Sequence, residues 1–278
     1  MNELGSSPVD GTVHPAAPLR RREPYITQAG RDLRLDLIRG LCVVIMIIDH
    51  VAGESPLYLI TGGNRFLTSA AEGFILTSGL TAGLVYRGLV ERHGLVAAVR
   101  KAFRRAGNLY LLAVGLALLI APVSEFYHLP WAQQIDFTRP AEFVVSVLTL
   151  HRTYYLADVM VLYALLLALL PAALILLHRG RARTVLAASG ALWLLHQFFP
   201  AAATITWPIE GNYLFLFSSW QLLFFVPLVL AYRYDRLPRL SRHGQYGLLF
   251  LAGLGVALLL AVRGLMNLPA SQLPHAWL

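Results

Sequence analysis

Cysteine occurs once in the 278 residues, at Cys42. That excludes an intrachain disulfide and any metal site built from several cysteines. Its place inside an apolar run marks it as a packed core residue. Charge is also scarce, at 14% of residues, where soluble domains carry roughly 25%. Lysine is nearly absent too, since Lys101 is the only one, so arginine supplies the excess behind the net charge of +8. In so apolar a chain that excess fits cytoplasmic loops and anionic headgroups, and nucleic acid is not an expected partner. No apolar leader with a small-residue cleavage site precedes Leu35. Residues 1–33 are expected to form a flexible cytoplasmic tail, with the first apolar segment acting as an uncleaved anchor.

What remains is hydrophobic, at 57% of residues with a mean hydropathy of +0.60. A helical span needs about 20 mostly apolar residues. Seven candidates follow: 35–52, 69–87, 106–123, 155–177, 184–201, 212–232 and 245–262. Arginines gather in alternate connections: Arg20, Arg21, Arg22, Arg31 and Arg34 in the tail, Arg87 to Arg105 in the second, Arg179 to Arg183 in the fourth and Arg233 to Arg242 in the sixth. This alternation predicts an all-α polytopic membrane protein with a cytoplasmic N terminus and a periplasmic C terminus. Residues 34–278 would form one transmembrane domain. Stretches 124–131 and 142–150 read as interfacial helices on the outer side. The basic segment "VAAVRKAFRRAG" reads as a helix at the inner surface.

The first span, "RLDLIRGLCVVIMIIDHV", carries ionisable groups that are costly in lipid. Arg39 and His50 are 11 residues apart, which on a helix puts them within about 20° of one face and about 16 Å apart in depth. Asp36 lies on the same side, whereas Asp49 points about 100° away from His50. His50 reads either as a general base in a membrane cavity or as a structural histidine at the outer interface. Asp49 is a candidate to orient its ring or to touch substrate. Arg39 reads either as a snorkelling anchor or as a clamp for a phosphorylated donor.

In "SAAEGFILTSGLTAGLVY", Glu72, Gly79, Gly83 and Tyr86 share a face, and the two glycines allow close helix contact. Glu72 is either a structural polar contact or a carboxylate near the His50 end. Asp158 stands about one turn into the fourth span, which is costly without a role. Tyr154, entering from outside, reads as an interfacial belt residue or as a substrate contact. Gln221, beside Trp220 in the sixth span, either bonds across helices or lines a cavity. Pro227 is tolerable in a span.

Four motifs, "RLDLIRGLCVVIMIIDH", "SAAEGFILTSGLTAGLVY", "LTLHRTYYLADVMVLYALLLALLP" and "FLFSSWQLLFFVPLVLAY", occur in an order that resembles the OpgC family. These membrane proteins succinylate osmoregulated periplasmic glucans and are related to the acyltransferase-3 group. The resemblance runs from about residue 31 to 232 and implies acyl transfer from a cytoplasmic acyl-coenzyme A, succinyl-coenzyme A in the named family, to a sugar hydroxyl on the outer side. It makes Arg39 and His50 the expected essential pair and strengthens Glu72 and Asp158 as catalytic candidates. Relatives carry further spans, so the resemblance also implies that this chain stops short of the family's C-terminal end.

The resulting expectation is an inner-membrane acyltransferase with His50 as base and Glu72 and Asp158 positioning the sugar or the histidine. Arg39, Arg104 and Arg105 would hold the donor phosphates at the cytoplasmic mouth. Trp220, Gln221, Tyr154 and Asp49 would face the acceptor. No metal is expected, and the partners are the bilayer, the acyl-coenzyme A donor and a glucan or other glycan. Two rivals remain at this level: a proton-coupled transporter, since buried Asp, Glu and His also build proton relays, and a truncated, non-catalytic scaffold.

Overall fold

The computed structural model describes residues 32–50, 55–61, 69–128, 139–154, 157–205, 207–236 and 241–266. The tail up to residue 31 and its arginines lie outside the described residues, as does the end of the 124–131 stretch. The described chain is helical: α1 (Leu33–His50), α2 (Tyr58–Thr61), α3 (Ala70–Phe126), α4 (Pro140–Leu148), α5 (Asp158–His178), α6 (Ala182–Phe198), α7 (Phe217–Trp220), α8 (Leu222–Tyr232) and α9 (Arg242–Met266). Among the described residues no strand forms; one isolated bridge joins Arg152 to Glu210. Two of these helices, α3 and α5, are long and apolar enough to cross a membrane.

The expected second and third spans are two arms of α3, bent where Gly94 takes φ 80° and ψ 168°. The positive φ suits a residue without Cβ. The basic connection is therefore helical. Ala98, Ala102 and Ala106 recur every fourth residue and are buried in the main core, while Arg100, Lys101, Arg104 and Arg105 are exposed. Small residues on one stripe let this arm pack closely.

The sixth expected span is shortened to α7 and α8. Residues 212–215 form a loop because Asn212 accepts from the Phe215 N–H through Oδ1 (3.1 Å) and donates to the Phe215 carbonyl through Nδ2 (3.2 Å). Such side-chain bonds compete with helix formation. The fourth span starts later than expected, at Asp158, and the 142–150 stretch is α4.

Helix α5, "DVMVLYALLLALLPAALILLH", is apolar all round, and Leu162, Leu166, Leu170 and Leu174 are fully buried. Such a helix belongs at the centre of a bundle. It packs against α3, α6 and α8. Gly79 and Gly83 seat α3 directly on the α8 backbone. A Cβ at Gly79 would strike the Phe224 carbonyl, and one at Gly83 would lie 2.5 Å from the Leu228 carbonyl oxygen. Outward faces stay apolar: Leu37 and Ile47 on α1, Leu111 and Leu119 on α3, and Phe250, Leu251 and Leu254 on α9 are exposed. Apolar surface on this scale calls for a lipid or protein covering.

Candidate active site

Helices α3 and α5 begin at the same end of the bundle, because Phe74 and Tyr163, each about one turn from its helix start, meet edge to face at 5.7 Å. Helix α3 starts with a capping box. Glu72 accepts from the Ser69 backbone N–H (2.7 Å) and hydroxyl (2.5 Å), and the Ser69 oxygen caps Ala71 N–H. Its carboxylate thus satisfies N-terminal donors of its own helix, which the S-x-x-E spacing itself encodes.

Asp158 opens α5, is only 4% exposed, and accepts from the Val159 N–H at 2.8 Å. A helix N-terminus favours a carboxylate. His50, the last residue of α1, lies within electrostatic reach of that carboxylate. Its Nδ1 meets the Met46 carbonyl at 2.6 Å. A carbonyl only accepts, so Nδ1 carries the proton, and the neutral ring keeps its basic lone pair on Nε2. The fold therefore brings an imidazole within electrostatic reach of a buried carboxylate 108 residues away in sequence. Asp49 instead accepts from the Thr61 hydroxyl at 2.5 Å, tying α2 to α1.

Arg39 lies at this end too. Its guanidinium covers the Phe74 ring at 5.4 Å, a cation–π arrangement. Its Nε is buried without a hydrogen-bond partner among the described residues, as is the Ser78 hydroxyl, which sits one turn beyond Phe74 on α3. The depth follows from how α1 crosses α3: the middle of α1, at Cys42, lies against Gly73.

Arg104 and Arg105 belong to the other end. Arg105 acts electrostatically on Tyr86, and Tyr86 is about 18 Å further along α3 than Phe74. Arg87 pairs there with Glu91 (2.7 Å) and with Asp235. The structure thus separates Arg39 from the two arginines grouped with it on sequence grounds. The length of α5, about 30 Å, sets the two ends apart.

Tyr154 is buried against Phe143 of α4 (6.1 Å) four residues before Asp158. Burial raises its hydroxyl pKa, partly offset by the nearby Arg152 guanidinium. Trp220 donates to the Leu214 carbonyl (2.7 Å) and packs on Phe215. Gln221, 1% exposed, is fully engaged: it accepts from the Ser189 hydroxyl (2.5 Å) and donates to the Ser189 carbonyl (2.8 Å) and weakly to that of Ser218 (3.4 Å). Ser218 in turn bonds His196 Nδ1 at 2.9 Å. Sequence reasoning passed over His196. Its seven-residue spacing from Ser189, which puts both on one face of α6, was the available signal. Among the described residues no three His, Cys, Asp or Glu side chains gather as metal ligands would.

Neither the curated proteins nor the solved structures yield a match. The family described as OpgC protein matches residues 31–278, which takes in every helix of the bundle and the grouping of His50, Asp158 and Arg39. On that match over most of its length, the chain belongs to the OpgC family.

Proposed function

We propose that this protein is a multi-pass inner-membrane O-acyltransferase that moves an acyl group from an acyl-coenzyme A to a hydroxyl of a glucan. The observation that carries the reading is that His50 lies within electrostatic reach of buried Asp158 at one end of a bundle whose opposite end bears Arg104 and Arg105. Family membership supports the reaction class.

In this mechanism the acceptor hydroxyl gives its proton to His50 Nε2 as its oxygen attacks the thioester carbonyl. A C–O bond forms, the C–S bond breaks, and the proton passes from the imidazolium to the departing thiolate. Asp158 stabilises the imidazolium in a site of low dielectric, where a nearby charge acts strongly. Arg39, held on Phe74, serves the thioester end of the donor, where a fixed cation stabilises the developing oxyanion. The phosphates of the coenzyme fall to Arg104 and Arg105, which suit anionic groups. The arginine-rich end would face the cytoplasm.

The test is mass spectrometry of periplasmic glucans from a bacterium that makes them unmodified, with and without this gene. Acyl-substituted glucan only with the gene is the expected result. Unmodified glucan in both, with the protein present in the membrane, rejects the reading.

A further inference from the structure

At the end of the bundle that holds Asp158, a pocket of about 210 Å³ opens between α4 and the segment that follows it, lined by Arg139, Glu142, Phe143, Ser146 and Arg152. The mechanism above uses none of these residues. We propose that this pocket is a subsite for a neutral saccharide, holding one ring of an oligomeric acceptor while another ring reacts. The proposal rests on the acyltransferase reading for its function, but not for the binding itself.

Three features lead there. The first is charge. Arg139 pairs with Glu142 (3.3 Å) and Arg152 with Glu210 (2.6 Å), so two cations are balanced by two carboxylates. A phosphate or carboxylate ligand would have to displace these partners. A polyhydroxyl ligand, whose groups both donate and accept, can bond guanidinium, carboxylate and the Ser146 hydroxyl at once. Phe143 adds an apolar ring to the wall, and an aromatic ring suits the C–H face of a sugar.

The second feature is rigidity. The Ser146 carbonyl accepts from both His151 N–H (2.8 Å) and Arg152 N–H (3.1 Å), and Leu150 is held at φ 56°. Glu210 is fixed through its backbone, which donates to the His151 carbonyl (2.9 Å) and accepts from Thr153 N–H (2.8 Å). Trp207 donates to the Leu150 carbonyl (3.0 Å) and stacks on His151 at 4.7 Å. A left-handed non-glycine residue persists only where its surroundings over-determine it. The wall carrying Arg152 is therefore set before any ligand arrives, which lowers the cost of binding.

The third feature is place. Asp158 comes six positions after Arg152, so the two are at most about 20 Å apart along the chain. A short oligosaccharide can bridge that distance and engage both sites at once. The subsite would therefore favour chains over single sugars.

The test measures binding directly, by calorimetry of the full chain in detergent micelles with glucose oligomers of increasing length. Affinity should rise with length, and the double substitution Arg139→Gln with Glu142→Gln should weaken it about tenfold, the order expected for one lost hydrogen bond to a charged group. Glu91→Gln, at the opposite end, should keep the wild-type affinity. Unchanged oligomer affinity in the double variant overturns the subsite even if glucans are acylated. Length-dependent binding lost in the double variant upholds the subsite even if no acyl transfer is found. A double variant that loses affinity for vesicles of anionic phospholipid, with oligomer affinity intact, assigns the pocket to lipid headgroups and overturns the proposal.

Discussion

Adding one methyl group at Gly83 tests how α3 and α8 are joined. Its Cβ would lie 2.5 Å from the Leu228 carbonyl oxygen, 2.7 Å from the Ala231 Cβ and 2.9 Å from the Tyr232 nitrogen, nearly 1 Å inside ordinary contact at 3.4 Å. Two of the three obstacles are backbone atoms, so no rotamer change relieves them and the helices must part. Overpacking costs about 1–3 kcal/mol, and with backbone in the way the upper end applies. Replacing a helical glycine by alanine returns about 1 kcal/mol in propensity, leaving Gly83→Ala about 2 kcal/mol less stable. Gly115 lies in the same helix with nothing within 4 Å of an added Cβ, so Gly115→Ala should gain up to about 1 kcal/mol. The two variants should differ by roughly 3 kcal/mol, on the order of a hundredfold in the unfolding equilibrium. Titrating the purified protein from dodecyl maltoside into dodecyl sulfate, followed by circular dichroism, measures it. Equal midpoints for the two variants would refute the close α3–α8 contact.

Three further outcomes follow from the site. Gln221→Leu removes both bonds to Ser189 and takes away the acceptor of that serine's buried hydroxyl. With interhelical bonds in membrane proteins worth about 0.6–1.7 kcal/mol each, the loss should be about 1–3 kcal/mol in the same titration. Unchanged stability with a raised KM for glucan would instead make Gln221 a cavity residue. Replacing Arg104 and Arg105 together by glutamine should raise the KM for acyl-coenzyme A. Arg39→Lys should lower kcat, because lysine lacks the planar group that lies over Phe74. A rise in donor KM alone for Arg39→Lys would return that residue to the phosphates.

Local pattern carried some of this architecture and missed the rest for identifiable reasons. The close approach at Gly79 and Gly83 follows from two small residues one turn apart. The start of α3 follows from Ser69 and Glu72 in capping spacing, although the same carboxylate also looked like a catalytic candidate. Helical periodicity gives the face on which Arg39 and His50 lie, but not the depth of Arg39 relative to α3. That depth depends on where α1 crosses, at Cys42 and Gly73, which no single-helix argument contains. The late start of α7 turns on one asparagine, Asn212, bonding three residues ahead, a signal masked by the apolar residues around it. The Arg152–Glu210 clamp joins groups 58 residues apart, so nothing local announces it.

The most direct measurement is acyl transfer by the purified protein in phospholipid vesicles, given acyl-coenzyme A and a glucan oligomer, with release of coenzyme A thiol and acylation of the glucan followed together. A positioned general base contributes about 10²–10⁴-fold. His50→Ala should therefore lose at least a hundredfold in kcat, and Asp158→Asn should fall in the same direction by less. Acylation at an undiminished rate by His50→Ala would contradict the central claim.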